Sequence, residues 1–245
     1  ETVSITGTSE PNKSTTIWIK DQDKKIVLFD ITTSDASGNL NYEFVTDDTF
    51  STGTYTAVVK QEDGLDAALF GIGQYPSTNI IALMEKTNFI LDSKAVLSII
   101  GPVSSKISIT VLDANDNVKL TDSVTTASSG KIKYIIDLDG LSAGVYRAAV
   151  STTNIQDSVK FSIGLEPGSG AISLTTTKDN FSPGESILLI GNTGNNARLT
   201  ITLFDPSGNI SSQTEIFSDS SGNFSTDDIG IPSDGALGNW KITAH

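Results

Sequence analysis

Apolar and polar positions alternate in several short runs of this chain. Ile107, Ile109 and Val111 share one side of the run from Lys106 to Leu112. Leu199, Ile201 and Leu203 repeat the pattern, as do Ile17 and Ile19. A period of two places one face of a strand in a core and the other in water. No segment holds a 3.6-residue period long enough for a sizeable helix. The runs are separated by turn chemistry such as Asp113-Ala-Asn-Asp-Asn117 and Asp205-Pro-Ser-Gly-Asn209. The pattern predicts an all-β protein.

The landmarks recur in register. Gly38, Gly130 and Gly222, each preceded by Ser, follow one another at a step of about 92 residues, as do Asp21, Asp113 and Asp205. Gly7, Gly101 and Gly191 each follow an apolar strand. Gly53-Thr-Tyr55, Gly144-Val-Tyr146 and Gly238-Asn-Trp240 close the series. So many landmarks in one order indicate a triplicated unit. Units of this length with short strands and frequent polar turns predict three tandem immunoglobulin-like β-sandwich domains of seven strands. Their bounds are 1–75, 76–166 and 167–245. The linkers, Gly73 to Thr78 and Gly164 to Gly170, carry Gly and Pro and are short, which predicts an extended or bent string of three beads.

The first copy begins at what is the second strand elsewhere, at Thr2-Val-Ser-Ile-Thr-Gly7. The third stops after Trp240-Lys-Ile-Thr-Ala-His245, without the final strand that Ala67 to Ile72 and Ser158 to Ile163 supply. The expectation is a window from a longer repeat protein, with neighbouring domains of that chain as partners.

Composition narrows the function classes. With Lys+Arg 16 against Asp+Glu 29, the net charge is −13, which argues against nucleic-acid binding through phosphate neutralisation. No apolar run approaches the roughly 18 residues of a membrane span, so no membrane insertion is expected in this segment. Cysteine is absent and the sole histidine is His245. Thiolate chemistry, Ser-His-Asp chemistry and multi-His metal sites therefore drop out, and no enzyme is predicted.

Lys178-Asp-Asn-Phe-Ser-Pro-Gly-Glu-Ser-Ile-Leu-Leu-Ile-Gly191, followed by Phe204-Asp-Pro-Ser-Gly-Asn209 and Gly238-Asn-Trp240, resembles Ig-like repeats of secreted archaeal and bacterial proteins. The acidic, cysteine-free, Ser/Thr-rich style is similar to surface-layer (S-layer) proteins of ammonia-oxidising archaea. The second copy departs from the motif, with Phe89-Ile-Leu-Asp-Ser-Lys94 in place of the Pro-Gly-Glu turn. The resemblance implies an extracellular, cell-wall-associated, calcium-dependent and glycosylated lattice that forms by self-association. An adhesin stalk is the alternative, and a non-catalytic domain of a secreted hydrolase a third.

Candidate residues follow from this frame. Asp113 and Asp116 lie in a segment with the look of a calcium loop, although the repeat alignment places it in a hairpin turn. Asp47 and Asp48, Asp137 and Asp139, and Asp227 and Asp228 recur at one place in each copy, as Ca²⁺ ligand pairs or as solvated loop charge. Tyr55, Tyr146 and Trp240 are either sugar-stacking platforms or core aromatics of the tyrosine-corner kind. Trp18 stands where the other copies carry Thr110 and Thr202, so it points outward, as a contact hot spot or as a ring capped by its neighbours. The sequons start at Asn12, Asn180, Asn209 and Asn223. Their number is close to what chance gives in so Ser/Thr-rich a chain.

Overall fold

The computed structural model describes residues 1–62, 64–165 and 170–245 and contains no helix among them. Residues 166–169 of the second linker, and with them the boundary expected between 166 and 167, lie outside the described residues. The strands form three consecutive groups. The first holds β1 (Thr2–Thr8), β2 (Ser14–Lys20), β3 (Ile26–Thr33), β4 (Asn39–Val45), β5 (Gly53–Gln61) and β6 (Gly64–Ile72). The second holds β7 (Ile81–Met84), β8 (Asn88–Phe89), β9 (Lys94–Ile100), β10 (Lys106–Asp113), β11 (Val118–Thr125), β12 (Lys131–Asp137), β13 (Gly144–Ser151) and β14 (Gln156–Ile163). The third holds β15 (Ser173–Thr176), β16 (Leu189–Asn192), β17 (Arg198–Phe204), β18 (Ile210–Phe217), β19 (Asn223–Thr226) and β20 (Lys241–Ala244).

Each group makes two sheets. The second is the fullest, with order β7-β9-β12 in one sheet and β11-β10-β13-β14-β8 in the other. The first has β1-β4 and β3-β2-β5-β6, and the third β15-β16-β19 and β18-β17-β20. This is the immunoglobulin-like sandwich expected from the alternation. Ile107, Ile109 and Val111 are fully buried in the second core, and Ile17, Ile19, Ile201 and Leu203 are fully buried in the first and third. Each such side chain contributes roughly 1.5–3 kcal/mol by leaving water, which is how the sandwiches hold without disulfides.

Two repeated turns fix the strand registers. The carboxylate of Asp21 accepts the backbone N–H of Asp23 and Lys25. Asp113 does the same with Asn115 and Asn117, and Asp205 with Ser207 and Asn209. The third residue after each Asp (Lys24, Asp116, Gly208) has positive φ, and a bulge follows in the ladder. A turn closed by a left-handed residue and a bulge is a standard three-to-four-residue hairpin link. At the second turn, Gly38, Gly130 and Gly222 have φ of 81°, 74° and 85°. Their carbonyls accept the N–H of Ser9, Gly101 and Thr193. A Cβ at Gly130 would lie 2.5 Å from the Gly101 carbonyl oxygen, so the recurring glycine answers to both dihedral and space.

The chain is not a string of beads. The first sandwich lays the outer face of its four-stranded sheet against the second and third. Trp18, Phe29, Val58 and Ala67 of that face form one buried cluster with Ile81 and Ile100 of the second group. Register explains why these four act together: Trp18 is paired with Phe29 on β3 and Val58 on β5, and Val58 with Ala67 on β6. The same row reads Thr121, Thr110, Ala149, Ser158 in the second repeat and Gln213, Thr202, Thr243 in the third. Of these three rows that of the first repeat is the apolar one, and folding back takes it out of water.

Candidate functional site: the junction of the three repeats

The junction is built around Trp18. Its alternation neighbours Ile17 and Ile19 point into the first core, so the indole points away from it, and it is 7% exposed. The ring meets Phe29 edge-on at 6.3 Å, and its N–H donates to the backbone carbonyl of Asp228 at 3.2 Å. On the same face of β2, Lys20 Nζ lies 3.2 Å from the Asp228 carboxylate. The backbone N–H of Phe29, on the open edge of β3, donates to the Gly184 carbonyl. Gly230 lets the third repeat come this close, because a Cβ there would lie 2.8 Å from Phe29 Cγ.

A carboxylate network accompanies the apolar contact. Asp30 is 4% exposed and accepts four hydrogen bonds. Two come from its own repeat, the Ile31 N–H and the Tyr42 hydroxyl at 2.7 Å. Two come from the third repeat, the N–H and hydroxyl of Ser233. Burial first, and then the hydrogen bond to Asp30, push the Tyr42 phenol far above its usual range, so it stays a donor. Toward the second repeat, Asp157 takes the Lys24 ammonium and the Ala82 N–H, and Lys131 pairs with Asp66 at 2.7 Å. A cleft of about 490 Å³ remains between the three repeats, lined among others by Trp18, Lys60, Lys160, Glu215, Asp227 and Asp228.

The acidic residues singled out from the sequence are dispersed. Asp47 accepts the N–H and hydroxyl of Thr49, which hold its carboxyl below the usual range. Asp48 is exposed. Asp113 is committed to its turn, to the Asn117 side-chain amide and to Lys119 at 3.0 Å. Asp116 pairs with Arg147 at 2.6 Å. Asp137 accepts the Asp139 N–H, and Asp139 faces water. Asp227 and Asp228 alone border the junction. Burial first, and the Asp228 charge second, push the Asp227 carboxyl up. Among the described residues, no three or more His, Asp or Glu side chains converge on one point where a metal ion would sit.

Tyr55 and Tyr146 are buried to 2% and 3%, which removes them as stacking platforms for sugars. Their hydroxyls donate to the carbonyls of Ser51 and Ser142, each at 2.8 Å, and the Trp240 N–H donates to Ala236 at 3.0 Å. All three are corner residues, bonded four positions upstream. The sequon asparagines are all exposed. Asn209 donates to Asp205 and Asn223 accepts from Asn192.

The partners of Trp18 were not visible from the chain alone. Phe29, Val58 and Ala67 sit on three other strands, and only the pairing register shows that they share a row with it. Asp30 gave no sequence signal, since its partner Ser233 is 203 residues distant.

No protein-family model matches the chain, and no curated protein matches it. Among solved structures, it is similar to a tetra-tandem repeat in the extending region of a large adhesion protein, at 19% identity and a TM-score of 0.30, over 99% of this chain and 69% of that one. It is also similar to a structure of a 1.5-MDa bacterial ice-binding adhesin, at 11% identity and a TM-score of 0.26, over 91% of this chain and 78% of that one. A third similarity is to trypsin-activated alpha-2-macroglobulin from Escherichia coli, at 10% identity and a TM-score of 0.29, over 95% of this chain and 21% of that one.

Proposed function

We propose that this chain is a structural spacer of an extracellular, cell-surface repeat protein, of the stalk kind found in adhesins. The observation that supports it is what the three repeats share. The turn aspartates, the positive-φ glycines and the corner aromatics recur, and all of them hold the sandwich together. The groups with reactive or ligating chemistry do not recur in a converging geometry. A segment repeated for its scaffold supplies length and spacing, and the binding function then belongs to other parts of such a protein.

The surface-layer lattice is the second reading. It needs lateral contact faces, and the apolar row around Trp18 is occupied within the chain by the second and third repeats. The corresponding rows of those repeats carry Thr, Ser and Gln. This favours the stalk. Calcium in either reading would act on single carboxylates and on the net charge of −13.

Electron microscopy of the purified chain with calcium and with a chelator tests the proposal. Discrete particles in both conditions are expected. Ordered sheets or tubes that dissolve on chelation would overturn it in favour of the lattice.

A further inference from the structure

The contacts divide the chain into two bodies. The second and third repeats clamp each other directly. Glu215 takes the Thr87 hydroxyl and the Arg198 guanidinium, the latter at 3.2 Å. Arg198 and Asn88 both donate to the Leu165 carbonyl, each at 3.2 Å. The first repeat is the other body. Among the described residues it shares no sheet with the rest. Its docking contacts are side by side in space and remote in sequence, as in Trp18 to Asp228, Asp30 to Ser233 and Lys24 to Asp157.

The bodies are joined covalently by residues 73–80, between β6 and β7. This linker turns back on itself directly after β6. A Cβ on Gly71 would lie 1.9 Å from the Gln74 carbonyl oxygen and 2.9 Å from the Pro76 nitrogen. Gly73 follows with φ of 68°. The Thr54 hydroxyl of β5 pins the turn, accepting the Ser77 N–H at 2.8 Å and meeting the Ser77 hydroxyl at 2.9 Å. Drawn out, residues 73–80 span up to about 28 Å. That is well over the roughly 10 Å between the sheets of a sandwich, so the first repeat can leave its own body and reach another.

We infer that the first repeat is an exchangeable module. Its Trp18 face docks on the second and third repeats of a second copy, while that copy's first repeat docks in return. Exchange remakes every junction contact, because all of them lie on the surfaces of the two bodies. Only the linker changes its path. A short hinge held in a tight turn is the setting that invites such exchange. The surface is selective as well as apolar. A partner must present a carbonyl to the Trp18 indole, a carboxylate to Lys20, and an N–H with a hydroxyl to Asp30. The third repeat of another copy presents all of these. Within one chain the tether gives docking an effective concentration of about millimolar, so exchange belongs to crowded copies. The inference stands apart from the choice between stalk and lattice, since it rests on the junction alone.

The test blocks the turned-back linker and leaves the junction intact. Gly71→Val does so, because its Cβ collides with the reversal while the extended strand accepts valine. A second variant, with four prolines in place of residues 74–77, straightens the linker outside every strand. Light scattering after size exclusion, at about 0.1 mM chain, should show twice the monomer mass for both variants, with at least about tenfold more dimer than the unmodified chain. The Phe29 amide, bonded to the Gly184 carbonyl, should stay protected from hydrogen exchange in the dimer. Adding Trp18→Thr to either variant should return it to a monomer. If both variants stay monomeric, whether extended or compact, the exchange is refuted. A dimer that survives Trp18→Thr, or one with the Phe29 amide unprotected, would also refute it, because another surface would then join the copies.

Discussion

The indole N–H of Trp18 donates to the main-chain carbonyl of Asp228, joining residues 210 positions apart in the chain. This bond lies at the centre of the contact that folds the first repeat onto the third. Replacing Trp18 with Thr, the residue at the equivalent place in both other repeats, removes the ring and leaves the strand pairing intact. The expected result is a larger radius of gyration in small-angle X-ray scattering, with the β-sheet circular dichroism unchanged. An unchanged radius would show that the remaining contacts hold the fold-back without it.

Tyr146→Phe removes one hydrogen bond and keeps the ring against Phe161. The orphaned Ser142 carbonyl is near the surface, so a loss of about 1 kcal/mol is expected. Urea unfolding of the variant, fitted for the transition of that repeat, measures it. The Trp240 counterpart should lose less on substitution by Phe, because its surroundings are already half open.

Two glycines with the same φ of 74° separate strain from space. A methyl group added at Gly140 would meet nothing within 4 Å, whereas one added at Gly130 would lie 2.5 Å from the Gly101 carbonyl oxygen. Gly140→Ala should cost about 1 kcal/mol for its dihedral alone. Gly130→Ala should cost clearly more and should weaken hydrogen-exchange protection of the Gly101 amide, which its own carbonyl accepts.

Acid stability follows from the turn aspartates. Side-chain amides of Asn39, Asn117 and Asn209 hold Asp35, Asp113 and Asp205 below the ordinary range, and the Asn223 N–H does so for Asp219. These groups favour the folded state above the unfolded carboxyl value near 4, and that contribution is lost as pH falls through the lower native values. Urea midpoints should therefore fall between pH 4 and about 2. Asp227 acts in the opposite sense. Its carboxyl is pushed up, so its contribution is present below the unfolded value and is lost as pH rises through the folded one. Asp227→Asn should raise the midpoint at pH 7 and leave it nearly unchanged at pH 3. A lower midpoint at pH 7 would refute this account.

The strands, the three-fold repetition, the turns at Asp21, Asp113 and Asp205, and the corner role of Tyr55 and Tyr146 were legible because local chemistry dictates them. Alternation sets a strand's faces, and a carboxylate two residues before a free N–H sets a turn. The fold-back was not legible. Trp18 alone marked the outer face, and its partners share a row with it only once four strands have paired. The paired aspartates illustrate the converse. Close in sequence, Asp137 and Asp139 flank the buried Leu138, and one is consumed by the amide of the other. Sequence proximity did not become convergence.

Because the first repeat is held by surface contacts and, among the described residues, by no strand shared with its neighbours, the chain has slack stored in it. Tension applied between its two ends would peel Trp18, Phe29 and Asp30 away from the third repeat before any sandwich opened. The molecule would lengthen by unfurling, with all three cores intact, and would shorten again by re-docking when the load fell. A chain folded this way would yield before it breaks.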